Sequence, residues 1–157
     1  MALLLIGYGN TLRCDDGVGQ AIALTVADWR IPDLQVEACH QLTPELALEL
    51  ALVERVWFID AYAVPQPSPG HHLIIQQIQG DGHLAPLGHH LTPPRLLSLT
   101  AQLYGRIPEA YWLLIPAGDF GFGECFSVMT EQAMAEAIAW LQKTLMPQPV
   151  SPCTNSA

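Results

Sequence analysis

Apolar residues fall along this chain in patterns that alternate between strand and helix. Leu3-Leu4-Leu5-Ile6, Val56-Trp57-Phe58-Ile59 and Trp112-Leu113-Leu114-Ile115 are unbroken apolar runs. Such runs read as strands buried on both faces, the habit of a parallel sheet. Leu34 to Cys39 alternates and reads as a further strand. Between these runs the apolar spacing turns helical. Val18, Ile22, Ala23 and Val26 predict a helix from Asp15 to about Arg30, ended by Pro32. Thr43-Pro44 and Thr92-Pro93 each pair an N-cap residue with a proline at the first helical position. They predict helices from Glu45 to about Val53 and through Leu96, Leu97, Leu99, Thr100 and Leu103. Met134, Ala137, Ile138, Leu141 and Leu145 predict a last helix from Thr130 to about Leu145.

His72 to Ile78 adds a fourth strand in chain order, reached through a short loop containing Pro65, Pro67, Pro69 and Gly70. That loop is too short for the crossover a parallel neighbour needs, so this strand is expected to run antiparallel to the third. The fold expected is a single-domain, three-layer α/β fold. Its twisted five-stranded sheet is mostly parallel with one antiparallel strand, and helices cover both faces. Residues 1–145 form the domain, and 146–157, rich in Pro and Ser, form a flexible C-terminal tail.

Composition narrows the function by exclusion. The 157 residues carry six Lys plus Arg against fifteen Asp plus Glu, a net charge of −9. Nucleic acid and anionic membrane both need clustered cations, so neither is an expected partner. No apolar run reaches the roughly 18 residues that span a bilayer, and no basic segment precedes an apolar one at the start. A cytoplasmic protein is the default. Cys14, Cys39, Cys125 and Cys153 lie far apart without a Cys-x-x-Cys pair, which argues against a disulfide framework or zinc knuckle. Cys39 and Cys125 read as small core fillers.

The chemistry gathers around the first strand's end. Gly7-Tyr8-Gly9-Asn10-Thr11-Leu12-Arg13-Cys14-Asp15-Asp16-Gly17 turns sharply and delivers two adjacent carboxylates to a helix start. A dinucleotide turn would need a third glycine where Leu12 stands, and the two acids would repel a pyrophosphate. A cation suits the site better. Asp15 is the expected N-cap of its own helix. Asp16, Asp60 at the end of the third strand, and His89 then converge as two carboxylates and an imidazole. That set makes a first shell for a divalent transition ion with coordination positions left open. A thiolate at Cys14 is disfavoured by its acidic neighbours, so it is not the expected nucleophile.

These residues carry a resemblance. The Gly7 to Gly19 segment, Phe58-Ile59-Asp60-Ala61 and His89-His90-Leu91 resemble the motifs of the [NiFe]-hydrogenase maturation proteases, over about residues 3 to 145. His40-Gln41-Leu42-Thr43-Pro44-Glu45 is most similar to the branch serving the bidirectional, NAD-linked hydrogenase. The resemblance implies an endopeptidase that removes a C-terminal extension from the hydrogenase large-subunit precursor after nickel insertion. It implies metal contacts at Asp16, Asp60 and His89, with Asp16 and Asp60 also the candidate catalytic groups. Asn10, Asp15, His90 and His40 would support them. The nickel would be the substrate's own, with no tightly bound intrinsic metal. The alternative is a non-catalytic, nickel-dependent checkpoint or chaperone that binds the same precursor.

Overall fold

The computed structural model describes residues 1–65, 70–82 and 90–147. The expectations for His89 and for residues 148–157 of the tail lie outside the described residues. Strand β1 spans Leu3–Tyr8 and leads through a 3-10 turn, Cys14–Gly17, into helix α1, Val18–Ala27. Strand β2, Leu34–Cys39, helix α2, Leu46–Leu52, and strand β3, Arg55–Ala63, follow. Strand β4 is Ile74–Ile78, helix α3 Pro93–Tyr104, strand β5 Glu109–Ala117 and helix α4 Val128–Leu145.

The sheet order is β2-β1-β3-β5-β4, with β4 the antiparallel member. The single-domain α/β architecture is therefore as expected, but the place of β4 is not. It pairs with β5, Ile74 opposite Leu114 through Ile78 opposite Ala110, and β5 separates it from β3. Burial explains the exchange. Leu113 and Ile115 of β5 are fully buried, whereas Ile74, Gln76 and Gln77 of β4 are exposed. The apolar strand takes the interior position and the polar one the edge.

Side-chain parity divides the sheet into two faces. Leu4, Ile6 and Tyr8 of β1, with Val56 and Phe58 of β3, pack against Leu46, Leu50, Leu96 and Leu97 of α2 and α3. Leu5, Trp57, Ile59, Leu113 and Ile115 pack against Val18, Ile22 and Val26 of α1 and against Ala133, Ala137 and Leu141 of α4. The helices start and stop slightly off their expected places. The 3-10 turn takes the first residues of the expected Asp15–Arg30 helix. α2 begins at Leu46 after a turn at Pro44 and Glu45, without a side-chain cap. Leu103 of α3 is exposed rather than part of the apolar face. α4 begins two residues early because Ser127 caps it, accepting from the Thr130 amide at 3.4 Å.

The approach of α1 to the sheet is unusually close. A Cβ on Gly7 would sit 2.0 Å from the Gly19 carbonyl oxygen. A Cβ on Gly19 would sit 2.4 Å from the Ile59 oxygen and 2.6 Å from the Tyr8 oxygen. The obstacles are backbone atoms on both sides, so neither side chain rotation nor a small shift relieves the contact. Gly19→Ala is accordingly expected to destabilise the protein by about 3 kcal/mol, the upper range for overpacking. Urea unfolding checks this, and an unmoved midpoint would show a looser helix–sheet contact.

Candidate functional site

Strand order reverses at β1: its chain continuation goes to β2 on one side, and β3 lies on the other. Crevices at such switch points, outside the carboxyl ends of strands, are where open α/β sheets bind ligands. A cleft of about 360 Å³ lies there, lined by Asn10, Asp16, His40, Asp60 and His90 among others. Five of the residues expected from the sequence thus share one cleft. His89 is outside the described residues. Among the described residues no three His, Cys, Asp or Glu side chains are grouped closely enough to hold a metal ion by themselves.

The turn after β1 is built to aim Asp16. Gly9 has φ of +142°, and a Cβ there would meet the Asp16 carbonyl oxygen at 2.0 Å. The Asn10 amide donates to Asp16 Oδ2 at 2.8 Å. Asn10 Oδ1 in turn accepts from the Leu12 amide at 3.0 Å, closing a local Asx turn. Gln20 Nε2 donates to the Gly9 carbonyl at 2.8 Å and ties the turn to α1. Asp16 is therefore held by backbone while its remaining carboxylate oxygen serves the cleft.

Asp15 does something different from what the sequence suggests. It is fully buried and does not line the cleft. Neither the 3-10 turn nor α1 has a side-chain cap. The Asp15 carboxylate instead accepts from the amides of Gly118 (2.9 Å), Asp119 (2.9 Å) and Ser127 (2.7 Å), and from Ser127 Oγ (2.8 Å). Sitting inside the 3-10 turn, it is displaced from the amides of its own helix. It finds those of the β5–α4 loop and lies at the N-terminus of α4, where a negative charge is favoured. Burial alone would raise its pKa, but these donors together hold it below the ordinary carboxylate value.

Asp60 shows the opposite balance. It continues the row Val56, Phe58, Asp60 on the α2–α3 face, at the point where that row leaves the core. Its pKa is pushed up to about 6, first by desolvation and further by the nearby Asp16 charge, against contacts with the Tyr8 hydroxyl and the Ala61 amide. Tyr8 is itself shifted upward, chiefly by burial and then by the Asp60 charge. The Trp112 indole N–H lies in the same wall and has no hydrogen-bond partner among the described residues.

Tyr8, Trp112, Arg13 and Gln41 line the cleft although the sequence reading did not single them out. Strand parity holds a signal for the first two, since Tyr8 follows Leu4 and Ile6, and Trp112 follows Ala110, on the face that carries Asp60. No comparable signal marks Arg13 or Gln41. Among the described residues no cysteine lines the cleft. Cys14 is buried, and burial with the Asp119 and Asp15 charges raises its thiol pKa. Cys125 is exposed rather than a core filler.

Among protein-family models none matches this chain. No curated protein matches it either. Solved structures do. A [NiFe] hydrogenase maturation protease HycI from Thermococcus kodakarensis superposes with a TM-score of 0.70 at 19% identity, covering 93% of each chain. A hydrogenase 2 maturation peptidase from Thaumarchaeota archaeon SCGC_AB-539-E09 gives 0.68 at 21% identity, over 92% of this chain and 98% of that one. The hydrogenase maturating endopeptidase HybD from E. coli gives 0.67 at 19% identity, over 92% of both. The fold of this chain is therefore the fold of those proteins. Among the described residues, no helix is long and apolar enough to cross a membrane.

Two measurements check the electrostatics. Asp15→Asn is expected to lower stability near neutral pH by about 3 kcal/mol, because the Asn NH2 sets a donor against a buried donor, which is left without an acceptor. The depressed pKa of Asp15 means its contribution is present above the ordinary carboxylate pKa and is lost as pH falls through its folded value. The variant is therefore expected to lose less stability than the wild type as pH falls below about 4. A parallel acid limb in both proteins would count against the clamp. For Asp60, carbon-detected NMR titration is expected to show a midpoint near the value of about 6. Asp16→Asn lowers that midpoint and Tyr8→Phe raises it. Because the folded pKa of Asp60 exceeds its unfolded value, its contribution to stability falls as pH rises from about 4 to 6.

Proposed function

We propose that this protein is an endopeptidase that removes the C-terminal extension of a [NiFe]-hydrogenase large-subunit precursor after nickel has been inserted. The observation that carries the reading is the pairing of Asp16 and Asp60 in one cleft, at the switch point of a sheet with the maturation-protease fold. The substrate supplies the nickel. Asp16, Asp60 and an imidazole complete its shell for as long as the precursor is bound, and loading is thereby read before cutting. Hard carboxylates with one imidazole suit an ion whose soft thiolate ligands come from elsewhere.

Asp60 is the better placed of the two acids for proton transfer. In the free cleft, with a pKa of about 6, it is mostly ionised near neutrality and so able to accept a proton. In this reading it takes a proton from the attacking water and returns it to the departing amine. Asp16, held by the Asn10 amide, keeps its position. We assign the imidazole to His89 from the resemblance, with His90 in support. His40 and Gln41 belong to the segment that suggests the NAD-linked branch, and both face the cleft. The cytoplasm is the proposed place of action.

The test is the intact mass of purified precursor after incubation with this protein, in nickel-loaded and nickel-free forms. Shortening of the loaded form alone is the expected result. Asp16→Ala, Asp60→Ala and His89→Ala are each expected to slow cleavage by about 100-fold or more while the proteins stay folded. His90→Ala is expected to be milder, since two adjacent residues do not easily point into one site. The reverse result for the two histidines moves the imidazole to His90. A loaded precursor that binds but is never shortened would make the protein the non-catalytic checkpoint.

A further inference from the structure

We propose that Leu12 and Phe122 form a docking lip for the folded body of the protein whose chain end enters the cleft. The proposal rests on the peptidase reading. The two residues belong to segments that pair with each other. The Gly123 amide donates to the Leu12 carbonyl at 2.9 Å, and the Cys14 amide donates to the Gly123 carbonyl at 2.8 Å. Arg13 and Gly123 form a parallel bridge, and Leu12 and Phe122 each precede that pair by one residue. Leu12 is 61% exposed and Phe122 95% exposed, the latter the most exposed large hydrophobic residue described.

This apolar pair is not on a loose loop. Arg13 Nε donates to the Phe120 carbonyl at 3.1 Å. The Asp15 carboxylate holds the same loop at Gly118 and Asp119 on one side and at Ser127 on the other. A buried charge and a backbone bridge hold a segment whose aromatic tip is 95% exposed and packs against nothing among the described residues. A rigid, exposed aromatic loses little freedom on binding, and aromatic anchors dominate protein–protein interfaces.

The occupant follows from place and charge. Arg13, beside Leu12, lines the cleft, so lip and cleft are continuous. A cleft of about 360 Å³ accepts only a ligand-sized stretch of chain, and the rest of a protein substrate must lie outside it. Asp119 and Glu124 flank Phe122 and are exposed, on a chain of net charge −9. The matching surface is an apolar socket edged by Lys or Arg on the large-subunit precursor.

Steady-state cleavage of nickel-loaded precursor, together with equilibrium binding of the same precursor, tests the lip. Phe122→Ser is expected to raise KM and Kd by about tenfold with kcat within about twofold, and Phe122→Leu to recover most of the loss. The thermal midpoint is expected not to move, since the side chain is exposed. If the wild type cleaves and Phe122→Ser matches it in both KM and Kd, the docking inference falls and the peptidase reading stands. If kcat falls with KM unchanged, the lip is not a docking surface. If the wild type binds without cleaving, the peptidase reading falls and the Kd comparison alone decides the lip. If the wild type does not bind the precursor, both fall.

Discussion

The buried carboxylate of Asp15 is the interaction on which the rest of the site depends. It joins two segments more than a hundred residues apart, the turn after β1 and the loop before α4. Its donors are mostly backbone amides, which have no alternative partner once they are buried. A carboxylate with that many donors gives a single, well-defined arrangement, because each lost bond would leave a polar group unpaired. The neighbouring Asp16 inherits this fixity. One acid of the pair is buried as an anchor, and the other lines the cleft. Adjacent acids in the sequence thus have opposite surroundings.

The helix beneath the site imposes a second constraint. Gly7 and Gly19 allow α1 to lie against β1 and β3 at backbone contact distance. Helix start, turn and strand ends are brought into one small volume as a result. A larger residue at either position would move α1 outward and carry the Asp16 turn with it. The glycines that superficially suggest a nucleotide-binding loop therefore serve helix–sheet packing, and the acids between them give the site its charge.

Much of this was legible in the chain, and the misses have physical causes. Unbroken apolar runs located the strands of the parallel core because burial on both faces leaves no room for polar residues. The antiparallel direction of β4 followed from the short loop before it, but its neighbour did not. Strand order is decided by competition for the interior, and that requires comparing β4 with β5 rather than reading either alone. Asp60 was readable because it ends an apolar run with a charge, and Asp16 because it follows the glycine turn that leaves one. The true partners of Asp15 were not, because the amides it binds lie in a loop with no residue-specific signal. Tyr8 and Trp112 were hidden by their chemistry. Aromatic residues in strands usually signify core, and only the parity that places them beside Asp60 distinguishes them.

The cleft itself argues for a cation. Two carboxylates line a space from which part of the water is excluded; that desolvation raises the pKa of Asp60, and the nearby Asp16 charge adds to it. The nearest cationic side chain, Arg13, is engaged with the Phe120 carbonyl and with the loop carrying the lip. With only six Lys and Arg in the whole chain, no cluster of fixed positive charge is available to balance the pair. A resident cation would relieve that repulsion permanently. A cation that arrives with the substrate relieves it only in the complex, and part of the binding energy then depends on whether the metal is present. The unfavourable charge of the free cleft is, on this reading, what would let a loaded precursor be told from an empty one. An empty precursor brings the same peptide to the same walls but leaves Asp16 and Asp60 facing each other. Discrimination of this kind works by penalising the wrong partner rather than by adding contacts to the right one.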